Sequence, residues 1–188
     1  MLDLTVDRLG IRDVLRIVPR KREDARGYFV ESYHAGRFAE IGVRAMFVQD
    51  NQSRSTQAGT VRGLHFQVPP RAQAKLVRVV RGAIMDVVVD IRRGSPTYGR
   101  WCGTTLTAAG GEQLFVPRGF AHGFCTLEAD TEVAYKVDDY YAPECDLGIL
   151  WNDPEIGIGW PVHAAAAILS DKDRGLPRLR DFASPFAL

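Results

Sequence analysis

The stretch AIMDVVVDI, residues 83–91, has the clearest periodicity in the chain. Its odd-numbered positions are all apolar, whereas Asp86 and Asp90 share the even-numbered side. Alternation with a period of two is typical of a β-strand, because successive side chains of a strand point to opposite faces of the sheet. The pattern predicts a strand with one buried side, opposite the two aspartates.

Short runs of the same character precede and follow this strand, and turn-forming residues such as those of Pro117-Arg118-Gly119 separate them. The other predicted strands are 15–18, 28–31, 47–49, 61–67, 75–80, 101–106, 113–116, 125–127 and 131–137. Helix is expected only at Ala35–Ile41 and in the tail from Ala164. Many short strands with little helix between them predict an all-β sandwich or barrel.

Length and composition indicate one globular domain, residues 1–188, since the chain shows no internal repeat and no linker. With a formal net charge of +1 and dispersed charges, nucleic acid is not an expected partner. No signal peptide and no apolar run long enough for a membrane span is evident. The three cysteines match no metal or disulfide spacing, which favours a reducing cytoplasm.

Two segments place histidines at informative spacings: His65 with Gln67 two residues later, and His122 at the end of segment 111–122. A single histidine more often serves a structural hydrogen bond, but here both spacings resemble the two motifs of the cupin superfamily. Metal-binding cupins have a second histidine and a glutamate where this chain has Gln67 and Lys75. Because an ammonium group repels a divalent cation, we expect a cupin jelly roll whose pocket holds no metal.

Further motifs are similar to those of the dTDP-4-dehydrorhamnose 3,5-epimerase family, and the similarity extends from about Asp24 to Asp173. The motifs are Phe47-Val48-Gln49-Asp50-Asn51, Arg62-Gly63-Leu64-His65, Gln73-Ala74-Lys75-Leu76-Val77, Val89-Asp90-Ile91-Arg92, Gly119-Phe120-Ala121-His122-Gly123-Phe124, Tyr135-Lys136, Trp151-Asn152-Asp153 and Leu169-Ser170-Asp171-Lys172-Asp173. The resemblance implies conversion of dTDP-4-dehydro-6-deoxy-D-glucose to dTDP-4-dehydro-L-rhamnose, a step of dTDP-L-rhamnose biosynthesis. The protons on C3 and C5 of this sugar are acidic because each carbanion delocalises onto the C4 carbonyl. A base, an acid and a cation at the enolate oxygen therefore suffice, without a cofactor.

The resemblance also implies roles for five side chains. His65 is the expected base, Asp173 the carboxylate that orients it, Tyr135 the proton donor on the opposite face, Lys75 the cation at the C4 oxygen, and His122 a hydrogen-bond donor nearby. Each has a plainer alternative. Asp173 lies three residues after Ser170 in a helix-capping pattern, Tyr135 would suit a core, and lysines are commonly surface residues.

The expected nucleotide contacts follow from the same resemblance, as does a homodimer in which an N-terminal strand completes the partner's site. The residues are Arg26, Phe29, Glu31, Gln49, Asn51, Arg62 and Lys172, with Tyr141 and Asp146 at further matching positions. The strand that crosses to the partner would bring Arg26, Phe29 and Glu31. Taken singly, each charged residue could equally be an ordinary surface residue.

Three alternative functions remain at this point: an epimerase that inverts only C3 or only C5, a metal-dependent cupin enzyme, and a non-catalytic sugar-binding cupin. Single-centre epimerases would use the same histidine and tyrosine, so the sequence does not distinguish them. The metal-dependent alternative needs at least three good ligands, which Gln67 and Lys75 disfavour. The binding module would not require His, Lys and Tyr together.

Overall fold

The computed structural model describes residues 3–188, so the first two residues of the predicted domain lie outside the described part. It consists mainly of antiparallel strands and confirms the all-β jelly roll predicted from the sequence. The strands are β1 (Leu4–Arg8), β2 (Leu15–Pro19), β3 (Arg22–Asp24), β4 (Gly27–Phe29), β5 (Gln49–Ser55), β6 (Val61–Gln67), β7 (Lys75–Arg81), β8 (Ala83–Asp90), β9 (Trp101–Thr107), β10 (Gln113–Val116), β11 (Phe120–Thr126), β12 (Thr131–Val137) and β13 (Asp146–Gly148).

Two sheets pack face to face. One has six strands in the order β1-β2-β10-β7-β12-β5, and the other has five in the order β13-β6-β11-β8-β9. Strands β3 and β4 form a separate hairpin. Apolar side chains from both sheets, among them Val77, Ile84, Leu106 and Val133, form the core between them. Successive strands such as β7 and β8 lie in different sheets, so residues from distant segments meet across this core.

The interpretation of residues 83–91 as a strand with one buried side was wrong, because β8 is buried on both sides. Its even-numbered face points into the core between the sheets, where Ile84 and Val88 pack. Its odd-numbered face, including Val87, is covered by a second apolar cluster to which the C-terminal tail contributes Leu179. Regular alternation therefore marked the strand and its buried odd-numbered face correctly, whereas the two aspartates concealed that the even-numbered face lies in the core.

The predicted helices are confirmed and are short. Helix α1 (Ala35–Glu40) packs Phe38 on the outer face of the six-stranded sheet against Ile17 and Leu76. The tail contains helix α2 (Asp171–Arg174), and single 3-10 turns occur at Pro143–Cys145, Ala164–Ala166 and Leu179–Asp181. Among the described residues, no helix is long and apolar enough to cross a membrane.

Strands β6 and β11 approach each other unusually closely beside the two motif histidines. His122 pairs directly with His65, and the register shifts between His122 and Phe124. The shift occurs where Gly63, with φ +144°, faces Gly123; a Cβ atom on Gly123 would lie 2.7 Å from the Arg62 carbonyl oxygen. Glycine is thus required here by close backbone approach.

Candidate active site

A cavity of about 400 Å³ opens between the two sheets and is bordered by all five side chains for which the resemblance implies a role in the reaction. They are His65, Lys75, His122, Tyr135 and Asp173. His65 and His122 come from the five-stranded sheet, whereas Lys75 and Tyr135 come from the six-stranded sheet. Side chains from two facing sheets therefore form opposite walls of the cavity.

His65 is held by Asp173, whose Oδ1 atom lies 2.6 Å from His65 Nε2. Asp173 sits in α2, where its backbone N–H donates to Ser170 Oγ at 3.2 Å. The cap and the histidine contact thus coexist, and the cap places the carboxylate. Burial by itself would raise the pKa of Asp173, but its contacts with His65, Gly63 and Ser170 outweigh burial and hold the pKa below its usual value. Asp173 is therefore ionised at neutral pH.

Tyr135 and Lys75 occupy the wall opposite the histidines. Burial raises the pKa of Tyr135, so its phenol is protonated at neutral pH and can donate a proton. Lys75 Nζ donates to the His65 carbonyl oxygen at 3.1 Å. Burial lowers the pKa of Lys75 to about 8, against the opposing charges of Asp146 and Asp86. The cation is therefore retained at pH 7 within a poorly solvated site.

His122 forms a second histidine–carboxylate pair, in which Nε2 lies 2.5 Å from Asp86 Oδ1. Sequence analysis did not include Asp86 among the candidate site residues, since alternation placed it on an exposed side. A usable signal was present, because Asp86 stands between Ile84 and Val88 on the same face of the strand. A single acid flanked at i±2 by buried aliphatic residues points into a core or a cavity.

The cavity continues into an opening where several predicted nucleotide contacts meet. His65, Lys75 and Tyr135 border both spaces. The side chains around the opening include Gln49, Asn51, Gln67, Tyr141, Asp146 and Lys172. Arg62 borders the cavity itself and is held by Ser55 Oγ at 3.1 Å. Cationic and polar groups are therefore grouped at one entrance.

Asp146 connects two sides of this entrance. Its Oδ2 atom accepts from Lys172 Nζ at 2.5 Å and from Tyr141 Oη at 3.2 Å. The Tyr141 backbone N–H donates to Gln49 Oε1 at 3.0 Å. Asp146, a predicted nucleotide contact that could equally have been an ordinary surface acid, thus holds an aromatic and a cationic residue at the entrance.

Gln67, which stands where metal-binding cupins have a second histidine, also supports the entrance. Its Nε2 donates to the Arg71 and Tyr140 carbonyl oxygens at 2.6 and 3.2 Å, and its Oε1 accepts from Ala142 N at 2.8 Å. The amide is fully used in holding the loop that carries Tyr141. Within residues 3–188, no three His, Cys, Asp or Glu side chains are grouped so that they could hold a metal ion.

Three predicted nucleotide contacts lie away from the cavity of their own chain. Arg26 is at the tip of the β3–β4 hairpin, where it pairs with Asp24 at 2.6 Å. Phe29, at the end of β4, is 71% exposed. Glu31 pairs with Arg37 at 2.8 Å. Within one chain, the fold does not bring Arg26, Phe29 or Glu31 to the histidines.

Comparison with known proteins identifies the family of this chain. The family model described as dTDP-4-dehydrorhamnose 3,5-epimerase matches residues 8–181. The chain belongs to this family. A curated dTDP-4-dehydrorhamnose 3,5-epimerase from Sinorhizobium fredii is 51% identical over 178 residues, which cover 95% of this chain and 91% of the relative.

Two solved structures of family members have the same fold. The dTDP-4-dehydrorhamnose 3,5-epimerase of Bacillus anthracis, with TDP and PPi bound, is 52% identical with a TM-score of 0.90, and the match covers 93% of this chain and 99% of that one. The dTDP-6-deoxy-D-glucose-3,5-epimerase of Legionella pneumophila, in complex with dTDP-4-keto-L-rhamnose, is 42% identical with a TM-score of 0.91, covering 96% and 95%. The cupin-type jelly roll is therefore shared over nearly the whole chain.

Proposed function

We propose that this protein catalyses the metal-independent 3,5-epimerisation of dTDP-4-dehydro-6-deoxy-D-glucose to dTDP-4-dehydro-L-rhamnose. The observation that supports this most directly is a carboxylate-held histidine, His65, on one wall of a cavity, with Tyr135 and Lys75 on the other. Inversion next to a ketone requires removal of a proton from one face of the carbon and its return to the other. Groups on opposite walls suit that requirement.

In the proposed reaction, His65 removes the proton from C3 or C5, and the C–H electron pair forms an enolate with the C4 oxygen. Asp173 engages Nε2, so Nδ1 is the nitrogen that receives the proton. The negative Asp173 stabilises the imidazolium that results, and the Lys75 ammonium stabilises the enolate oxygen. Tyr135 then protonates the carbon from the opposite face, which inverts it.

The entrance and the adjoining cavity provide suitable groups for the nucleotide. Arg62 and Lys172 supply positive charge for a diphosphate, and the exposed ring of Tyr141 is placed to stack on a base. We further propose a homodimer, in which the exposed hairpin supplies Arg26, Phe29 and Glu31 to the partner's entrance. Cys102, Cys125 and Cys145 are buried free thiols, which suits a reducing cytoplasm.

The first test is proton NMR of the metal-stripped protein with dTDP-4-keto-6-deoxy-D-glucose in deuterium oxide. We expect the C3 and C5 proton signals both to disappear with time as solvent deuterium replaces them. Loss of only one signal would indicate a single-centre epimerase. If neither signal decays, the proposed reaction is wrong, and a sugar-binding module becomes the better hypothesis.

The same NMR experiment distinguishes the residue that acts as the base from the residue that acts as the acid. We expect His65→Ala to abolish exchange at both carbons, because the variant lacks the proposed base. Tyr135→Phe should keep exchange while inversion at one or both centres is lost, because abstraction does not need the phenol. His163→Ala is the matched control, since His163 is an exposed histidine that caps a remote 3-10 turn. Full epimerase activity of Tyr135→Phe would refute the assignment of the acid.

A further inference from the structure

Asp86 is a buried carboxylate that the proposed reaction does not use. It is fully buried in β8, between the apolar Ile84 and Val88 on the same face. Its Oδ1 contacts His122, whereas Oδ2 is the one buried side-chain polar atom of the described residues that lacks a hydrogen-bond partner. Burying a carboxylate with an unpartnered oxygen is costly, so packing alone does not account for an acid at this position.

Asp90, on the same strand, is a buried carboxylate whose hydrogen bonds are all made within the local structure. It lies four residues further along, on the same face, and is equally buried. Its two oxygens accept hydrogen bonds from Arg92, Ser95 and Thr97. Asp90 thus closes a local network at the strand end. In the described part of the chain, Asp86 instead has a single side-chain hydrogen-bond partner, His122, which borders the cavity.

The contact with Asp86 restricts how His122 can act. Its Nε2 is engaged by the carboxylate, and His122 borders the cavity next to its strand partner His65, so Nδ1 is the nitrogen available there. A carboxylate acceptor holds the ring proton on the nitrogen that faces it. Burial also lowers the pKa of His122, against the opposing effect of Asp86, which favours the neutral ring.

We propose that Asp86 is a positioning residue of the site: it holds the His122 proton on Nε2 and leaves Nδ1 as an acceptor for a hydroxyl group of the sugar ring. The inference rests on the proposed epimerase function for its substrate. It reverses the expectation from sequence that His122 donates a hydrogen bond. The C2 and C3 hydroxyl groups are the donors that such a sugar offers, and accepting from one of them would fix the ring relative to His65.

The first test needs neither activity nor a carboxylate variant. Side-chain ¹⁵N NMR of the wild-type protein at pH 7 reports which nitrogen of each histidine is protonated, and the His122 signals are assigned by their loss in His122→Gln. We expect a neutral His122 with its proton on Nε2. A ring protonated on Nδ1, or on both nitrogens, would overturn the proposal.

The second test is Asp86→Asn, whose amide can donate to Nε2 and drive the ring proton to Nδ1. We expect kcat to fall about 10- to 100-fold, the loss that is typical when a metal-binding histidine loses the partner that orients it. Asp90→Asn is the matched control: it should lower stability while the kcat of the folded protein and the His122 tautomer stay unchanged. Wild-type kcat in folded Asp86→Asn would contradict the proposal.

A double-mutant cycle then asks whether Asp86 acts through His122. In the His122→Gln background, Asp86→Asn should change kcat less than about twofold, because the group that it positions is already absent. A further loss as large as in the wild type would show a different role and refute the proposal. If the wild-type protein exchanges no sugar protons, the proposed function fails, yet the tautomer measurement still tests Asp86.

Discussion

Lys75 is the residue whose charge should set the alkaline limit of activity. Burial lowers its pKa from 10.5 to about 8, and Asp146 and Asp86 limit the fall. The ammonium form dominates below that pH and is lost above it, so we expect kcat to fall by about tenfold per pH unit above pH 8. The experiment is a pH–rate profile from pH 6 to 10. Ionisation of Tyr135 should not contribute to the fall in this range, because burial raises the pKa of that phenol.

The control for this profile is Lys75→Arg. A guanidinium stays charged throughout the range, so this variant should be slower than wild type yet lose the alkaline fall. A wild-type rate that stays constant up to pH 10 would show that the ammonium charge is not needed. Partial loss of the fall in Lys75→Arg would point to another titrating group that faces the cavity.

At the scale of single residues, the motifs predicted five residues that line one cavity, whereas alternation predicted the wrong environment for Asp86. His65, Lys75, His122, Tyr135 and Asp173 all border one cavity, as their motifs led us to expect. Asp86 was assigned to the wrong environment, because alternation shows which residues share a face but not whether that face meets solvent or a cavity. Deciding between the two requires the opposing sheet.

Among the structural elements, the four-residue helix α2 should matter more for catalysis than its length suggests. Ser170 caps it, and the capped turn carries Asp173 to His65. We expect Ser170→Ala to lower the free energy of unfolding by about 1 kcal/mol and kcat several-fold, with little change in KM. The measurements are denaturant unfolding and steady-state kinetics.

Ser170→Asn provides the matched comparison, because asparagine is as good an N-cap as serine. It should restore both stability and kcat if the cap acts by placing the carboxylate. An alanine variant with normal kcat would instead show that Asp173 is held adequately by His65 and the Gly63 backbone. In that case the serine is only a local stabiliser of the tail.

Element positions were predictable where side chains alternate and turns are marked, and less so elsewhere. Strands β1, β3 and β13 were missed, and the predicted runs 47–49 and 125–127 overlap β5 only at Gln49 and β11 only at its last two residues. The sequence of β5, QDNQSRS, is wholly polar, yet it pairs in register with β12 along its length. Pairing with a neighbouring strand, rather than its own propensity, therefore fixes β5 as a strand.

At the scale of the whole molecule, one chain leaves an exposed aromatic surface on a two-stranded hairpin. Tyr28 and Phe29 are 58% and 71% exposed, and within residues 3–188 strands β3 and β4 pair only with each other. An isolated hairpin of three-residue strands has little stability of its own. The exposed rings and the position of Arg26 away from its own cavity both fit the proposed exchange between partners, which the family resemblance implied and the hydrophobic pattern of the chain did not.

Complementation between two inactive variants tests that exchange. His65→Ala removes the base but keeps the hairpin, whereas an Arg26→Ala/Phe29→Ala double variant keeps the base but alters the hairpin. If each hairpin completes the partner's site, a mixed dimer has one intact site. Random pairing after an equimolar mixture is unfolded and refolded should then restore about a quarter of wild-type activity.

Each variant treated alone is the control and should stay nearly inactive. If activity is not restored although sedimentation shows that the mixture contains dimers, each hairpin contributes to the site of its own chain. If the double variant alone is active, the hairpin is not part of the active site.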